Sequence, residues 1–313
     1  MMIRMIRRRA AWLAALLLLV LQAPAYPLEI SVVNRASGLP SDWISALASD
    51  GGKVWVGTGN RGLALWDPAR GTFVDHSGAP GFTSKAITSV AVFREKVYAG
   101  TELEAVVFDG KKWDRLEKAD SIVMRNVRFA SSPDGRELWA ASMALAGGTV
   151  RFDGDKWTFM GGQGRGLFSN VTALAFDPKG TWMGTLSGAV YLHKGADVEA
   201  VSAGLSGNVS SLARAGDALF AGTSKGLFRL DGSTWKKIAF PAEWGSPVVI
   251  AMAARGDVLY AWTTAGMVRV SGMKVDRLTE KDGLPSSRVQ AVLVDGETVY
   301  GGTLKGLVTI RGW

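Results

Sequence analysis

The sequence predicts an all-β fold, a seven-bladed β-propeller of four-stranded antiparallel blades, on three observations. A strand ending in Gly-Thr or a close variant recurs at Gly57-Thr58, Gly100-Thr101, Ala141-Ser142, Gly184-Thr185, Gly222-Thr223, Trp262-Thr263 and Gly302-Thr303. The steps are 43, 41, 43, 38, 40 and 40 residues, a period typical of propeller blades. Between the markers, apolar and polar residues alternate in short runs broken by Gly, Asp or Pro, as short antiparallel strands require. The two ends are complementary: Leu28 to Asn34 has the spacing of a fourth strand, and the last unit stops at Trp313, just after a third strand.

Residues 1–25 read as a secretory signal peptide, and 26–313 as the propeller. Arg4, Arg7, Arg8 and Arg9 form the basic start, Ala10 to Leu21 the apolar run, and Ala23-Pro24-Ala25 the small-x-small cleavage site. The apolar run is about a dozen residues, whereas a membrane span needs about 20. The expectation is a periplasmic or extracellular protein that does not span the membrane after cleavage.

Blade one shows the repeat well. Trp43 to Ala48 is strand A, nearest the axis; Lys53 to Thr58 is strand B, Gly62 to Trp66 strand C, and Thr72 to Val74 the core of strand D. Asp109-Gly110, Asp153-Gly154 and Asp231-Gly232 read as C-to-D turns, because Asp-Gly accepts the positive φ of a tight hairpin. Trp113, Trp157 and Trp235 follow three residues after each Gly and are expected to pack between blades. The Gly of Gly-Thr is expected where another backbone comes close. Leu28 to Asn34 should complete the seventh blade beside Gly306 to Arg311, closing the ring. That arrangement leaves no stretch for a kinase, a DNA-binding helix pair or an anchor.

Four of the eight net positive charges are arginines of the leader, so the remainder carries +4 without a Lys/Arg run. The high pI is therefore no sign of nucleic-acid binding. The chain has no cysteine, which excludes disulfides, a lipidated N-terminal cysteine and thiolate metal sites.

Residues 38–67 (GLPSDWISALASDGGKVWVGTGNRGLALWD) and 283–307 (GLPSSRVQAVLVDGETVYGGTLKGL) resemble the two-component regulator propeller repeat. Its pattern is Gly-Leu-Pro-Ser, an apolar strand, an Asp/Gly turn, Trp-x-Gly-Thr and Gly-Leu. Residues 204–232 carry a partial copy. The resemblance implies a propeller of the kind that forms extracytoplasmic sensor regions of bacterial signalling proteins. Those sensors continue into a membrane helix and a kinase, and this sequence stops at Trp313.

Loops joining D to A and B to C share one face of a propeller, and departures from the repeat on that face are the candidate sites. Trp262 replaces the marker Gly in blade six, and Trp244 leads into the same blade; Arg288 and Lys305 follow in blade seven, Trp43 and Arg61 in blade one. Aromatic faces beside cations can stack a sugar and hold a carboxylate or sulfate, pointing to an anionic glycan or a small organic acid. The competing reading makes Trp262 a packing plug and the cations solvated. In blade two, Glu102 and Glu104 are two apart, which in an extended segment gives one direction. With Asp42 they form a candidate oxygen set for Ca²⁺ or acid–base work, against the alternative of a solvated acidic loop. In blade three the long B-to-C connection has an apolar tip, including Met143 and Leu145, a candidate contact for a cell-envelope protein, against the alternative that it folds back onto the propeller surface.

The two histidines, His76 and His193, belong to distant blades and do not point to a metal centre or a Ser–His–Asp site. The leading expectation is an exported, non-catalytic propeller without a cofactor, binding a ligand or protein at its loop face as sensor, accessory factor or scaffold. The alternative is a propeller enzyme, such as a glycan lyase or lactone hydrolase, using Asp42, Glu102 or Glu104.

Overall fold

The computed structural model describes residues 27–116, 118–120, 122–143, 147–160, 170–195 and 197–313. The leader and Leu145 lie outside them. Seven four-stranded antiparallel sheets surround a common axis. Blade one is Ile44–Asp50, Lys53–Thr58, Leu63–Asp67 and Thr72–Asp75, close to its expected bounds. The innermost strands of the other six begin at Ile87, Val127, Val171, Val209, Val249 and Val289. A two-residue hairpin pairing, Lys118–Ala119 with Ile122–Val123, precedes blade three and was not anticipated from the repeat.

The ring closes as the ends of the sequence required. Glu29–Val33 pairs antiparallel with Gly306–Arg311, placing Ile30 opposite Ile310 and Val32 opposite Val308. Ser31 and Thr309 share a hydroxyl–hydroxyl bond of 2.6 Å across this seam. The first described strand thus becomes strand D of blade seven and covers an edge that would otherwise expose unpaired backbone groups.

Each half of the Gly-Thr marker has its own packing reason. A Cβ at Gly57 would lie 2.6 Å from Ile87 Cγ2, and one at Gly302 would lie 2.8 Å from Ile44 Cγ2. Gly184 and Gly222 face Val209 and Val249 in the same way. What crowds these glycines is therefore the first β-branched side chain of the next strand A; another backbone is the obstacle at Gly100, which faces the Val127 carbonyl. The Thr hydroxyl donates to the carbonyl across the B-to-C loop, as in Thr58 to Gly62 at 2.8 Å and Thr303 to Gly306 at 2.7 Å. These threonines are fully buried, so each loop is fastened from beneath.

The interblade tryptophans lie where expected. Trp113 meets Trp55 of blade one edge-on, with centroids 6.1 Å apart. Trp157 reaches Tyr98 of blade two, and Trp235 donates its Nε1–H to the Val201 carbonyl at 2.7 Å. Sharing rings across interfaces makes the core a set of wedge contacts, with large aromatic area buried at each.

The second residue of strand A points toward the axis. In six blades the pairing register shifts around it, as at Ile44/Ala46 and Val209/Ser211, and a bulge re-aims its side chain. Where that residue carries a hydroxyl, the hydroxyl donates to the first carbonyl of the next strand A: Ser45 to Ile87 at 2.6 Å, Thr88 to Val127 at 3.0 Å, Thr172 to Val209 at 2.5 Å and Ser210 to Val249 at 2.6 Å. Blade three breaks the series. It has no register shift, and its second residue is Arg128.

Candidate binding face

The D-to-A and B-to-C loops are stitched to one another. Gly59 donates its N–H to Trp43 at 2.9 Å within blade one, and Gly62 donates to Lys85 of blade two at 2.8 Å. Gly306 of blade seven donates to Asp42 at 2.7 Å. These bonds set the Lys305, Asp42–Trp43, Asn60–Arg61 and Lys85 segments side by side across blades seven, one and two. Ser41 anchors the group by donating to Asn60 Oδ1 at 2.7 Å.

Trp43 is 42% exposed, a high value for so large an apolar side chain. Its ring rests on Gly59, where a Cβ would lie 2.8 Å from Trp43 Cε3 and closer still to Cδ2. The same loops enclose a depression of ≈ 380 Å³ bounded by Pro40, Asn60, Arg61, Asp75, Ser77 and Lys85, a carboxylate among the cations.

Ion pairs are distributed unevenly between the two ends of the propeller. The ten ion pairs among the described residues all lie at or near the A-to-B and C-to-D turns, for example Arg214–Asp217 at 2.9 Å and Arg255–Glu297 at 3.0 Å. On the opposite face Arg61, Lys85, Arg125, Lys225, Arg288 and Lys305 are exposed, and none belongs to those ion pairs.

Two of the expected residues do not join this face as expected. Trp262 has no exposed surface and lies in the interface between blades six and seven against Gly301, so its ring is unavailable for stacking a sugar. Trp244 is half-buried in a short 3₁₀ turn, Ala242–Trp244. It packs on Phe240 with centroids 5.7 Å apart, and the Arg277 guanidinium lies 4.4 Å from its ring centre. Its cation partner is thus a strand D arginine of its own blade, which the repeat did not single out. Trp43, Arg61 and Lys305 lie on adjoining loops; Arg288 is exposed at the start of blade seven.

The carboxylates separate. Residues 102–104 form a turn in which Thr101 Oγ1 accepts the N–H groups of Leu103 and Glu104, so the extended-strand rule for residues two apart does not apply. Glu102 is exposed, whereas Glu104 is buried. Glu104 Oε1 accepts from the backbone of Thr83 at 2.9 Å and Ser84 at 3.0 Å, and Oε2 from the Thr83 hydroxyl. Burial raises the Glu104 pKa, but the hydrogen bonds from Thr83, Ser84 and Thr101 outweigh it and leave the carboxyl below its ordinary value. Asp42 Oδ1 accepts the Arg35 N–H at 2.7 Å and caps a turn. Among the described residues no three His, Asp or Glu side chains come together as a metal set. Asp42, Glu102 and Glu104 therefore do not form the joint Ca²⁺ site that their types allowed.

His76 and His193 occupy aromatic packing. Trp113 Nε1 donates to His76 Nδ1 at 3.3 Å, and His193 lies edge-on to Trp139 at 5.4 Å. Burial lowers both pKa values, Asp75 opposing at His76 and Arg151 adding to the effect at His193. Met143 is half-buried, with its N–H on the Asn126 carbonyl at 3.3 Å.

The residue that the repeat reading missed is Arg128. Aligning the seven strands A gives Ser45, Thr88, Arg128, Thr172, Ser210, Ile250 and Gln290 at the second position, and one charge among six neutral residues was the available signal.

No family model matches the chain, and no curated protein matches it. Solved structures do. It is similar to the extracellular domain of a protein assigned to the hybrid two-component systems of B. thetaiotaomicron, with TM-score 0.73 and 16% identity, covering 92% of this chain and 42% of that one. A second extracellular domain, assigned to a one-component system of the same organism, gives TM-score 0.71 and 19% identity over 90% of this chain and 39% of that one. The chain thus spans about two-fifths of the length of these extracellular domains. It is also similar to virginiamycin B lyase from Staphylococcus aureus, solved as a catalytically inactive variant with quinupristin, at TM-score 0.65 and 17% identity over 91% of this chain and 99% of that one. At these identities the likeness establishes the propeller fold.

Proposed function

We propose that this protein is an exported, non-catalytic propeller that binds an anionic ligand or partner on its D-to-A/B-to-C face, in a sensor, accessory or scaffold role. The observation that carries this reading is the segregation of ion pairs: all ten among the described residues lie toward one end, whereas Arg61, Lys85, Arg125, Lys225, Arg288 and Lys305 are exposed at the other without one, on a face that also carries Asp42, Asp75 and Glu102. Arg61 and Lys305, on the loops adjoining an exposed Trp43, offer cations that attract anions beside an aromatic face on which a sugar can stack. The extracellular location of the two sensor-domain neighbours agrees with the leader peptide read at residues 1–25. An anionic glycan or an acidic envelope protein has the chemistry to use such a face.

The test is titration of the purified protein with uronate and sulfated oligosaccharides, with neutral oligosaccharides as controls. Binding to an anionic member should weaken with salt and fall at least tenfold in the Arg61→Gln/Lys305→Gln double variant. Equal binding by that variant, or preference for the neutral sugars, would overturn the reading.

A further inference from the structure

The axial channel is a cavity of ≈ 270 Å³ lined by residues of all seven strands A. Arg128 is its one charged lining residue among the described residues, and no carboxylate lines it. The guanidinium is open to the channel space, yet it has no hydrogen bond and no ion pair among the described residues. The surrounding strands desolvate it and lower its pKa, although arginine remains charged. Arg128 is exposed to the channel, and an anion there would take up its N–H donors in place of water.

The hydroxyls around it do not take that role, because those of Ser45, Thr88, Thr172 and Ser210 are spent on neighbouring carbonyls. Two neutral donors remain. Among the described residues the Gln290 amide makes no hydrogen bond, and Ser211 Oγ accepts the Met252 N–H at 3.0 Å, leaving its own proton free. Arg128 also takes a regular ladder position opposite Ala141, where the other six blades have a bulge. It lies one residue inside the start of strand A, at the end of the channel that opens toward the D-to-A loops.

We propose that the channel binds a small oxyanion (a carboxylate, sulfate or phosphate), held by the Arg128 guanidinium with Gln290 and Ser211 as neutral donors. A planar guanidinium pairs with two oxygens of such a group at once. The volume suits an anion of a few heavy atoms, since pockets for drug-sized ligands run about 300–1,000 Å³. This site goes beyond the loop-face reading, and none of its residues belongs to the loops.

The test is thermal unfolding of the purified protein in acetate, citrate, sulfate and phosphate, with ionic strength held constant by sodium chloride. At least one anion should raise Tm saturably, by roughly 5 °C at a hundredfold excess over its Kd. Arg128→Gln should abolish the rise. Arg128→Lys should need at least tenfold more anion, because an ammonium lacks the planar fork; it decides the matter if Arg128→Gln does not fold by circular dichroism. The Arg61→Gln/Lys305→Gln variant should respond like the parent. An equal rise in parent and Arg128→Gln, or no saturable rise with any of the four, would overturn the channel site. If the loop variant loses the rise while Arg128→Gln keeps it, the channel site falls and the loop-face reading stands.

Discussion

Trp262 and Gly301 are complementary halves of one interblade contact. A Cβ at Gly301 would lie 2.9 Å from Trp262 Cη2 and closer still to Cζ3. Elsewhere the small residue is on the first blade and the larger on the second: Gly57 is followed by Ala99 one blade on, and Gly222 by Ala261. Between blades six and seven the order is reversed. The Trp262 Nε1–H is buried without a partner, so the ring is held there for its volume.

Gly301→Ala should therefore destabilise by about 1–3 kcal/mol through overpacking, and Trp262→Ala by about 3–5 kcal/mol through the void it leaves. Trp262→Gly combined with Gly301→Ala restores the ordinary pattern and should cost less than the sum of the single changes by about 0.5–3 kcal/mol. Denaturant titration of the four proteins measures the coupling; strict additivity would contradict the contact.

Stability should decline as pH falls below neutrality. The folded pKa values of His76 and His193 are depressed by burial below the ordinary histidine value of 6.5. A depressed pKa means the folded state binds fewer protons, so this contribution is complete above pH 6.5 and is lost as pH drops through the folded values. Protonation of His76 Nδ1 would also break the bond it accepts from Trp113. The expected result is a Tm that is level from pH 7 to 8 and falls toward pH 5, with a shallower fall in His193→Gln. A Tm that rises on acidification over that range would contradict it.

Glu104 should behave as a structural acceptor. Glu104→Ala leaves the N–H groups of Thr83 and Ser84 unpaired and should cost about 1–3 kcal/mol, whereas Glu104→Gln keeps an acceptor and should cost less. Neither Ca²⁺ nor EDTA should shift the Tm of the parent protein. A calcium-dependent rise lost in Glu104→Gln would restore the carboxylate set as a metal site.

The closing strand should be essential. Deleting residues 29–33 removes the pairing to Gly306–Arg311 and leaves that strand as a bare edge. The truncated chain should unfold at a much lower temperature and associate through the edge. Light scattering and calorimetry check this; a monomer as stable as the parent would contradict the seam.

Much of the fold was legible because repetition averages out local ambiguity. Seven copies of one pattern fix strand order, and Lys53–Thr58 matches its expected bounds. The candidate site was less legible, since it depends on single departures. Glu102 and Glu104 were read in an extended segment, but the Thr101 hydroxyl bends the chain into a turn. Trp262 was visible as a departure, and its compensation at Gly301 lay 39 residues away, in the next copy of the repeat.

The sequence by itself determined the number of blades, their antiparallel strands and the seam between the two ends, because these follow from periodicity and from the need to pair backbone groups. Tertiary structure alone decided which cations stand unpaired on one face, that Trp262 is buried, and that Arg128 faces a channel without a carboxylate. Those properties arise from wedges meeting around an axis, where residues about 40 positions apart become neighbours and the spacing along the chain no longer says what a side chain touches.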